Sequence, residues 1–288
     1  MPRQKTVSSE IAEVDETNLE QSQTSTAEKR IVISTSDKGG NGKSSFARTY
    51  SDIGIARSIP ILPYDGDKRN AQLYRFYHKA YSSAYANGAG VLQVDLSKRG
   101  GADKLINSLD SENTKIVLID FPAGGGELFE RLDAELHLFD LLPEVGYRLT
   151  LVNVLSRVKD SVNSLLTLLE YVQKHDMNRV TDWVVVKNLF YGEAAKFRRY
   201  DGSKTKKTIE EMGGITISLP ELHDDTYDLI DDNDLTFTDA LKPEKQLPLA
   251  DRRRVKVFLE EAEEELMKAA SYLGLAYSDF RSDSIHLK

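Results

Sequence analysis

Cysteine is absent from this chain of 288 residues, which excludes disulfide bridges and metal sites built on thiolates. No run of about 18 apolar residues occurs, so no segment is expected to span a membrane. The N-terminus lacks the apolar stretch of a secretory signal, and the five histidines are scattered without the spacing of a metal site. These absences favour a soluble, cytosolic protein.

The first 28 residues differ in composition from the rest of the chain. They are rich in Ser, Thr, Glu and Gln, and they contain no aromatic residue. Such a segment cannot bury enough apolar surface to offset the entropy lost on ordering. We predict a disordered tail over residues 1–28, or a short helix that forms only on a partner. One domain is predicted over residues 29–288.

From Arg30 onward, short apolar runs alternate with helical patterns. This alternation predicts an α/β fold with a mostly parallel, doubly wound sheet and helices on both faces. The last helix is amphipathic and rich in glutamate on its other side, so we expect it to pack on the sheet and not on a membrane. The predicted strands cover residues 30–35, 60–64, 90–94, 115–119, 147–154, 182–188 and 215–218. The predicted helices cover residues 43–57, 101–109, 126–139, 158–174, 204–212 and 251–273.

A glycine-rich turn, KGGNGKSS at residues 38–45, follows the first predicted strand and opens the first predicted helix. Glycines let backbone N–H groups approach an anion, and the N-terminus of a helix attracts negative charge. Residues 42–44 match the end of the phosphate-binding pattern G-x-x-x-x-G-K-[ST], but Asp37 stands at its first glycine. A second lysine, Lys38, begins the turn.

This turn resembles the deviant Walker A motif of the ParA/MinD family of ATPases. The resemblance implies a P-loop NTPase fold that binds ATP and Mg²⁺ and forms a homodimer with ATP. It implies that Lys43 binds the β- and γ-phosphates, that Ser44 binds Mg²⁺, and that Lys38 acts on the nucleotide of the partner subunit. The nucleotide-binding residues that it implies in the loop are Lys38, Gly39, Gly40, Asn41, Gly42, Lys43, Ser44 and Ser45.

An apolar run that ends in Asp120 lies within residues 115–126, KIVLIDFPAGGG. A carboxylate at the carboxyl end of a strand beside the loop can hold Mg²⁺ through water next to the phosphates. The stretch D-F-P-A-G also resembles the D-T-P-x-G that follows this strand in the family. Asp120 is therefore a predicted metal-site residue.

A second carboxylate segment, ILPYDGDKRN, lies at residues 61–70. It resembles the D-x-D-P-Q segment of the family, which implies that Asp67 orients the attacking water and contacts the Mg²⁺ shell. Lys68 and Arg69 depart from the Pro-Gln of that pattern. The alternative interpretation is a turn capped by its own aspartates.

A buried-looking strand, WVVVKN, ends in Asn188. In the family an asparagine here bonds the edge of adenine, and an amide suits this role because it offers both a donor and an acceptor. Asn188 is the candidate here, with Pro220 and Leu222 closing over the base. An asparagine at a strand end is also common in turns.

The resemblance implies a slow switch in which ATP stabilises the dimer and hydrolysis to ADP and phosphate releases it. The missing cysteines exclude the branch that includes the nitrogenase iron protein, and the polar C-terminus disfavours a MinD-like membrane partner. Nonspecific duplex DNA is then the expected surface, with a plasmid, a chromosomal region or a protein as cargo. Such a protein would be cytoplasmic and associated with the nucleoid.

A protein partner that stimulates hydrolysis, or that is the cargo, is also expected. In the alternative function, the ATPase regulates a protein complex such as conjugation machinery and binds no DNA. Residues 215–237 loosely resemble ParA-like proteins of the StbB and TraL type from plasmid stability and conjugation operons.

Two basic stretches are candidates for DNA contact, although the net charge of −8 argues against bulk attraction to nucleic acid. Each is equally explained as the solvated face of a helix. The two stretches contain Lys196, Arg198, Arg199, Lys204, Lys206 and Lys207, and Arg252, Arg253, Arg254 and Lys256.

Overall fold

The computed structural model describes residues 28–36, 38–84, 89–276 and 280. The predicted tail lies outside the described residues except for Glu28, and Asp37 also lies outside them. The prediction of one domain over residues 29–288 stays a prediction.

Seven strands form a single sheet, and every neighbouring pair in it is parallel. The spatial order is β3-β2-β4-β1-β5-β6-β7, so the first strand of the chain lies at the centre. All carboxyl ends of the strands meet at one edge, where parallel α/β proteins place their ligand sites. The strands are β1 (Lys29–Thr35), β2 (Ile61–Asp65), β3 (Leu92–Gln93), β4 (Ile116–Asp120), β5 (Tyr147–Leu155), β6 (Thr181–Asn188) and β7 (Ile215–Leu219).

Helices connect the strands and cover the sheet. The α-helices are α1 (Lys43–Ala56), α2 (Gln72–Ala84), α3 (Asp103–Ser108), α4 (Gly125–Leu136), α5 (Leu138–Glu144), α6 (Lys159–Lys174), α7 (Arg198–Asp201), α8 (Lys204–Glu211), α9 (Asp224–Asp232), α10 (Phe237–Ala240) and α11 (Leu249–Lys268). Short 3₁₀ turns lie at Met177–Arg179, Leu189–Tyr191, Ala194–Lys196, Pro243–Lys245 and Ala270–Leu273.

The sheet has a separate apolar core on each face, because successive side chains of a strand point to opposite sides. In β1, Val32 packs into a core with α1, α2 and α11, while Ile31 and Ile33 pack into a core with α4 and α6. Both cores are buried, as is typical of an all-parallel sheet. The predicted fold class, a doubly wound parallel sheet with helices on both faces, is confirmed.

The predicted strands are all present, with boundaries within two residues of the prediction. The helix predictions need correction at several places. The helix predicted over 126–139 breaks at His137, whose φ of 49° is left-handed, and α5 follows it. The last helix ends at Lys268, before the turn Ala270–Leu273. Four helices were not predicted at all, namely α2, α7, α9 and α10.

The expected packing of the last helix is also confirmed. Phe258 and Leu259 of α11 lie in the same core as Ile217 and Leu219 of β7. Within the described residues, no helix combines the length and the apolar character needed to cross a bilayer.

Candidate functional site

The turn between β1 and α1 presents backbone donors at the centre of the sheet's carboxyl edge. Gly40 and Gly42 have φ values of 81° and 98°, a region that residues with side chains rarely adopt. α1 begins directly afterwards at Lys43, and its N-cap residue, Gly42, has no side chain to cap the first turn. N–H groups at a helix N-terminus beside such a loop form a binding site for an anion such as phosphate.

Residues at the end of β6 hold this loop in place. Asn188 Nδ2 donates to the carbonyl oxygen of Asn41 at 2.9 Å, and the Tyr191 hydroxyl donates to the carbonyl oxygen of Gly40. A Cβ atom at Gly42 would lie 2.2 Å from Asn188 Nδ2, so this contact requires glycine.

The Asn188 amide is engaged at both ends, since its Oδ1 accepts a hydrogen bond from the N–H of Phe190 at 3.1 Å. An amide has two N–H donors and two acceptor lone pairs, so one of each stays available for adenine, and that role stays a prediction. The side chain of Asn41 also faces the protein. Its Nδ2 donates to Ser36 Oγ at 2.7 Å and to Ser161 Oγ at 3.3 Å.

The two lysines of the loop have different surroundings. Lys43 is only 6% exposed, lines the cavity described below, and donates from Nζ to the carbonyl oxygen of Lys38 at 3.2 Å. Lys38 is exposed, and its Nζ pairs with Asp160 of α6 at 2.5 Å. This ion pair also lowers the pKa of Asp160. Because exposed ion pairs contribute little stability, Lys38 can leave Asp160 for another anion.

Asp120 lies beside the loop because the strand register places it opposite both Ser34 and Asp65. It is 1% exposed, and burial together with the nearby Asp65 raises the pKa of Asp120 to about 7. A hydrogen bond from Ser44 and the charge of Lys43 lower this pKa in part. Asp120 Oδ1 accepts no hydrogen bond from any described residue.

Ser44 and Asp120 fit the chemistry of Mg²⁺, which prefers oxygen ligands and keeps several waters. A buried carboxylate oxygen without a hydrogen bond is a ligand position that a cation would satisfy. The described residues contain no group of three His, Cys, Asp or Glu side chains suited to hold a metal. The pair therefore suits an ion that is bound together with phosphate oxygens.

The carboxylates of the D-x-D segment cap the turn that leads into α2. Asp65 accepts from the N–H groups of Asp67 and Tyr74, both at 2.9 Å, and burial raises the pKa of Asp65 to about 6. Asp67 Oδ1 accepts from the N–H groups of Arg69 and Asn70, both at 3.0 Å. The turn interpretation thus describes these hydrogen bonds. Asp67 also lines the cavity, so its catalytic role stays open as a prediction.

Lys68, which departs from the family pattern, has a structural partner. Its Nζ lies 2.9 Å from Asp95, whose carboxylate also pairs with Lys98 at 3.4 Å. Asp95 follows β3, so this ion pair links the D-x-D segment to the edge of the sheet. The sequence pattern gave no indication of it.

A cavity of about 560 Å³ lies at the carboxyl edge of the sheet, a size usual for small-molecule sites. One group of its lining residues, here called the loop end, comes from the glycine-rich turn and the start of α1: Gly39, Gly40, Gly42, Lys43, Ser44 and Ser45. A second group, here called the apolar end, is Leu219, Pro220, Leu222, Tyr227, Phe237 and Phe258, with Asp224 and Asp228 also lining the cavity.

The cavity brings together most of the predicted site residues. Lys38 is not among its lining residues, and neither are Asn41 and Asp120, which are buried beside the loop. Pro220 and Leu222 line the apolar end, and their closing over a base stays a prediction. Tyr227, Phe237 and Phe258 also line it but were not predicted. No local pattern marks these aromatic residues, because they come from three separate helices. The predicted residues that line the cavity are Gly39, Gly40, Gly42, Lys43, Ser44, Ser45, Asp67, Asn188, Pro220 and Leu222.

Comparison with known proteins gives the following similarities. No family model matches the chain. The chain is 26% identical over 238 residues to Protein MobD of Acidithiobacillus ferrooxidans, covering 83% of this chain and 96% of that protein. Among solved structures, the MinD cell division protein of Aquifex aeolicus is 15% identical with a TM-score of 0.42, covering 83% of this chain and 97% of its own. A putative plasmid partition protein of Borrelia burgdorferi, bound to AMPPNP, is 16% identical with a TM-score of 0.46, covering 84% and 99%.

Proposed function

We propose that this protein is a Mg²⁺-dependent ATPase that dimerises when it binds ATP. The cavity itself carries this proposal, because it joins an anion-binding loop containing a buried lysine to an apolar pocket. A nucleoside triphosphate has the same division into a polyanion and a flat apolar base. Asp120 and Ser44 stand beside the loop end, where the metal of a metal–nucleotide complex would bind.

In this proposal the loop end and the carboxylates of Asp67 and Asp120 share the work of phosphoryl transfer. Lys43 and the backbone N–H groups of the loop offset the negative charge that spreads over the γ-phosphate oxygens in the transition state. Asp67, on the cavity wall, orients the attacking water. Ser44 and Asp120 would hold Mg²⁺, which when bound neutralises phosphate oxygens.

Lys38 connects nucleotide binding to dimerisation in this proposal. Its ammonium is exposed at the rim of the loop, and among the described residues it pairs with the exposed carboxylate of Asp160 alone. In a face-to-face dimer it would exchange this partner for the nucleotide of the second subunit. ATP then favours the dimer by mass action, and loss of the γ-phosphate releases it.

Substitution of Lys38 tests the dimer. We expect Lys38→Ala to bind ATP within about threefold of the wild type, because the loop and Lys43 are unchanged. ATP-dependent dimerisation, measured by analytical ultracentrifugation, should be lost together with turnover. Asp160→Ala is the matched control, since it removes the intrachain partner of Lys38 and leaves the lysine free to act. A normal dimer with normal turnover in Lys38→Ala would refute the role in trans.

For the output of the switch we propose nonspecific binding of duplex DNA, by which the protein positions a plasmid, a chromosomal region or a protein cargo. The candidate surface is the first turns of α11, with Arg252, Arg253, Arg254 and Lys256. Two copies on one dimer would contact several phosphates at once, which raises affinity.

A specific observation favours the second function, regulation of a protein complex without DNA binding. Arg254 already pairs with Asp251 at 2.7 Å, and Lys256 pairs with Glu260 at 3.8 Å. In the other basic stretch, Lys206 and Lys207 likewise pair with carboxylates of their own helix. Such pairing reduces the positive charge that each stretch offers to DNA.

A gel-shift experiment on nonspecific duplex DNA distinguishes the two functions. If the ATP-bound dimer contacts about six phosphates, the logarithm of affinity should fall with the logarithm of salt concentration with a slope of roughly −5. Arg253→Ala combined with Arg254→Ala should reduce that slope, whereas ADP should abolish binding. No binding at low salt with either nucleotide would favour the protein partner.

A further inference from the structure

A fully buried arginine lies in α1, close to the apolar end of the cavity. Arg48 has no exposed surface, and its guanidinium lies 3.7 Å from the centre of the Phe76 ring. One nitrogen, Nη1, donates to the Tyr227 hydroxyl at 3.0 Å and lies 3.8 Å from a carboxylate oxygen of Asp231. The other two nitrogens, Nε and Nη2, make no hydrogen bond with any described residue.

An arginine in these surroundings is a poor source of stability. Removing a guanidinium from water costs free energy, and a hydrophobic residue of similar volume is often at least as stable in its place. Asp231 and the ring of Phe76 offset only part of this cost, because two of the three nitrogens remain without hydrogen bonds. Core stability alone therefore does not explain a charged residue at this position.

The aromatic residues around Arg48 indicate a role for it. Its guanidinium lies 5.3 Å from the centre of the Tyr227 ring and 5.1 Å from that of Phe237. Both rings line the apolar end of the cavity, and they come from α9 and α10. Arg48 thus lies against two residues that line the cavity, Tyr227 and Phe237, without lining it itself. Its hydrogen bond fixes the direction of the Tyr227 side chain.

We propose that Arg48 is a positioning residue that orders the apolar end for the base of the nucleotide, an inference that rests on the proposed nucleotide binding. It does not line the cavity, so it acts through Tyr227 and Phe237. The prediction is specific. Loss of Arg48 weakens binding of the base-containing part of the ligand and leaves binding of the phosphates unchanged.

Calorimetric titration of two ligands with the same number of phosphates tests this role. In Arg48→Met, which keeps an unbranched side chain that packs well on aromatic rings, the dissociation constant of ADP should rise about tenfold. The dissociation constant of inorganic pyrophosphate should stay within about twofold, because the loop is intact. Thermal melting without ligand should show a folded protein.

Tyr227→Phe is the second variant and removes only the hydroxyl that Arg48 bonds. It should lower the affinity for ADP, but by less than Arg48→Met does. The double variant should bind ADP no worse than Arg48→Met alone. Arg57→Met is a matched control at the end of the same helix, because Arg57 is also largely buried but bonds Glu263 away from the cavity. It should not change the ratio of ADP to pyrophosphate affinity.

Unchanged ADP affinity in both Arg48→Met and Tyr227→Phe would overturn the inference. An equal loss of affinity for ADP and for pyrophosphate in the folded variants would overturn it as well. A wild-type protein that binds neither ligand would instead refute the proposed nucleotide binding itself.

Discussion

The loop end and the apolar end of the cavity are built in different ways. The loop end comes from one continuous stretch, residues 38–45, and offers mainly backbone N–H groups together with Lys43. The apolar end comes from side chains of β7, the loop after it, α9, α10 and α11, spread over residues 219–258. A binding function that depends on local backbone geometry is visible in a sequence, whereas one assembled from side chains of several packed elements is not.

The supports behind the two ends differ as well. Hydrogen bonds from Asn188 and Tyr191 to backbone carbonyl groups hold the loop. Buried charged groups support the apolar end. Besides Arg48, the carboxylate of Asp52 accepts from Thr238 N at 3.0 Å and from Tyr77 OH at 2.7 Å, and burial raises the pKa of Asp52. Substitutions can therefore disturb one end and spare the other.

The largest effect is expected from Lys43→Ala, which removes the buried charge of the loop end. Affinity should fall about 1,000-fold, close to 4 kcal/mol, for ATP and inorganic tripolyphosphate alike. Calorimetric titration measures both ligands. If ATP kept its affinity while tripolyphosphate lost it, the apolar end would dominate binding and the comparison would reverse.

Asp67→Ala should separate binding from turnover at the loop end. We expect Mg-ATP to bind and hydrolysis to slow by about 100-fold, because the water loses its orienting carboxylate. A long-lived ATP dimer should then accumulate, visible by size-exclusion chromatography. Loss of binding would instead show that the caps on Arg69 and Asn70 are the main role of Asp67, and near-normal turnover would point to Asp65.

Gly42→Ala tests how strictly the backbone specifies the loop end. Its φ of 98° and the 2.2 Å approach of Asn188 Nδ2 predict a loss of about 1–3 kcal/mol in the free energy of unfolding. Urea unfolding without ligand measures it. Gly39→Ala is the matched control, because a Cβ atom there has no neighbour within 4 Å. Equal losses in both variants would mean that the contact with Asn188 is not the cause.

The smallest effect is expected for Asn188→Ala, which decides to which end this residue belongs. Since its amide forms hydrogen bonds with Asn41 and Phe190, we expect the affinities for ATP and tripolyphosphate to fall equally, by about fivefold, or close to 1 kcal/mol. A loss confined to ATP would instead support the predicted contact with adenine. The same titrations as for Lys43→Ala provide the measurement.

The sequence predicted all seven strands of the sheet but only some of the helices that pack on it. Strands were found because a parallel sheet buried on both faces needs continuous apolar runs, such as residues 116–119. α2 was missed although its aromatic residues Phe76, Tyr77 and Tyr81 are buried. α9 was missed because its aspartates resemble a loop, and only packing through Thr226 and Ile230 reveals it as a helix.

In the candidate site, too, the residues of a local sequence pattern were predictable and the contacts between separate elements were not. Ten predicted residues line the cavity, mostly from the loop, because a glycine-rich turn between a strand and a helix dictates its own geometry. The Lys38–Asp160 pair, the Lys68–Asp95 pair and the surroundings of Arg48 were not predictable. Each joins residues that are distant in the chain or lie on different elements.

By itself, the sequence determined the parallel α/β fold class and the glycine-rich loop between β1 and α1, because strand burial and glycine backbone geometry are properties of short segments. Tertiary structure decided the rest. Strand register placed Asp120 opposite Asp65, and the end of β6 placed Asn188 against Gly42. The packing of α1 against α9 and α10 placed Arg48 behind Tyr227 and Phe237. These contacts depend on elements that meet only after the sheet has formed, so no local pattern encodes them.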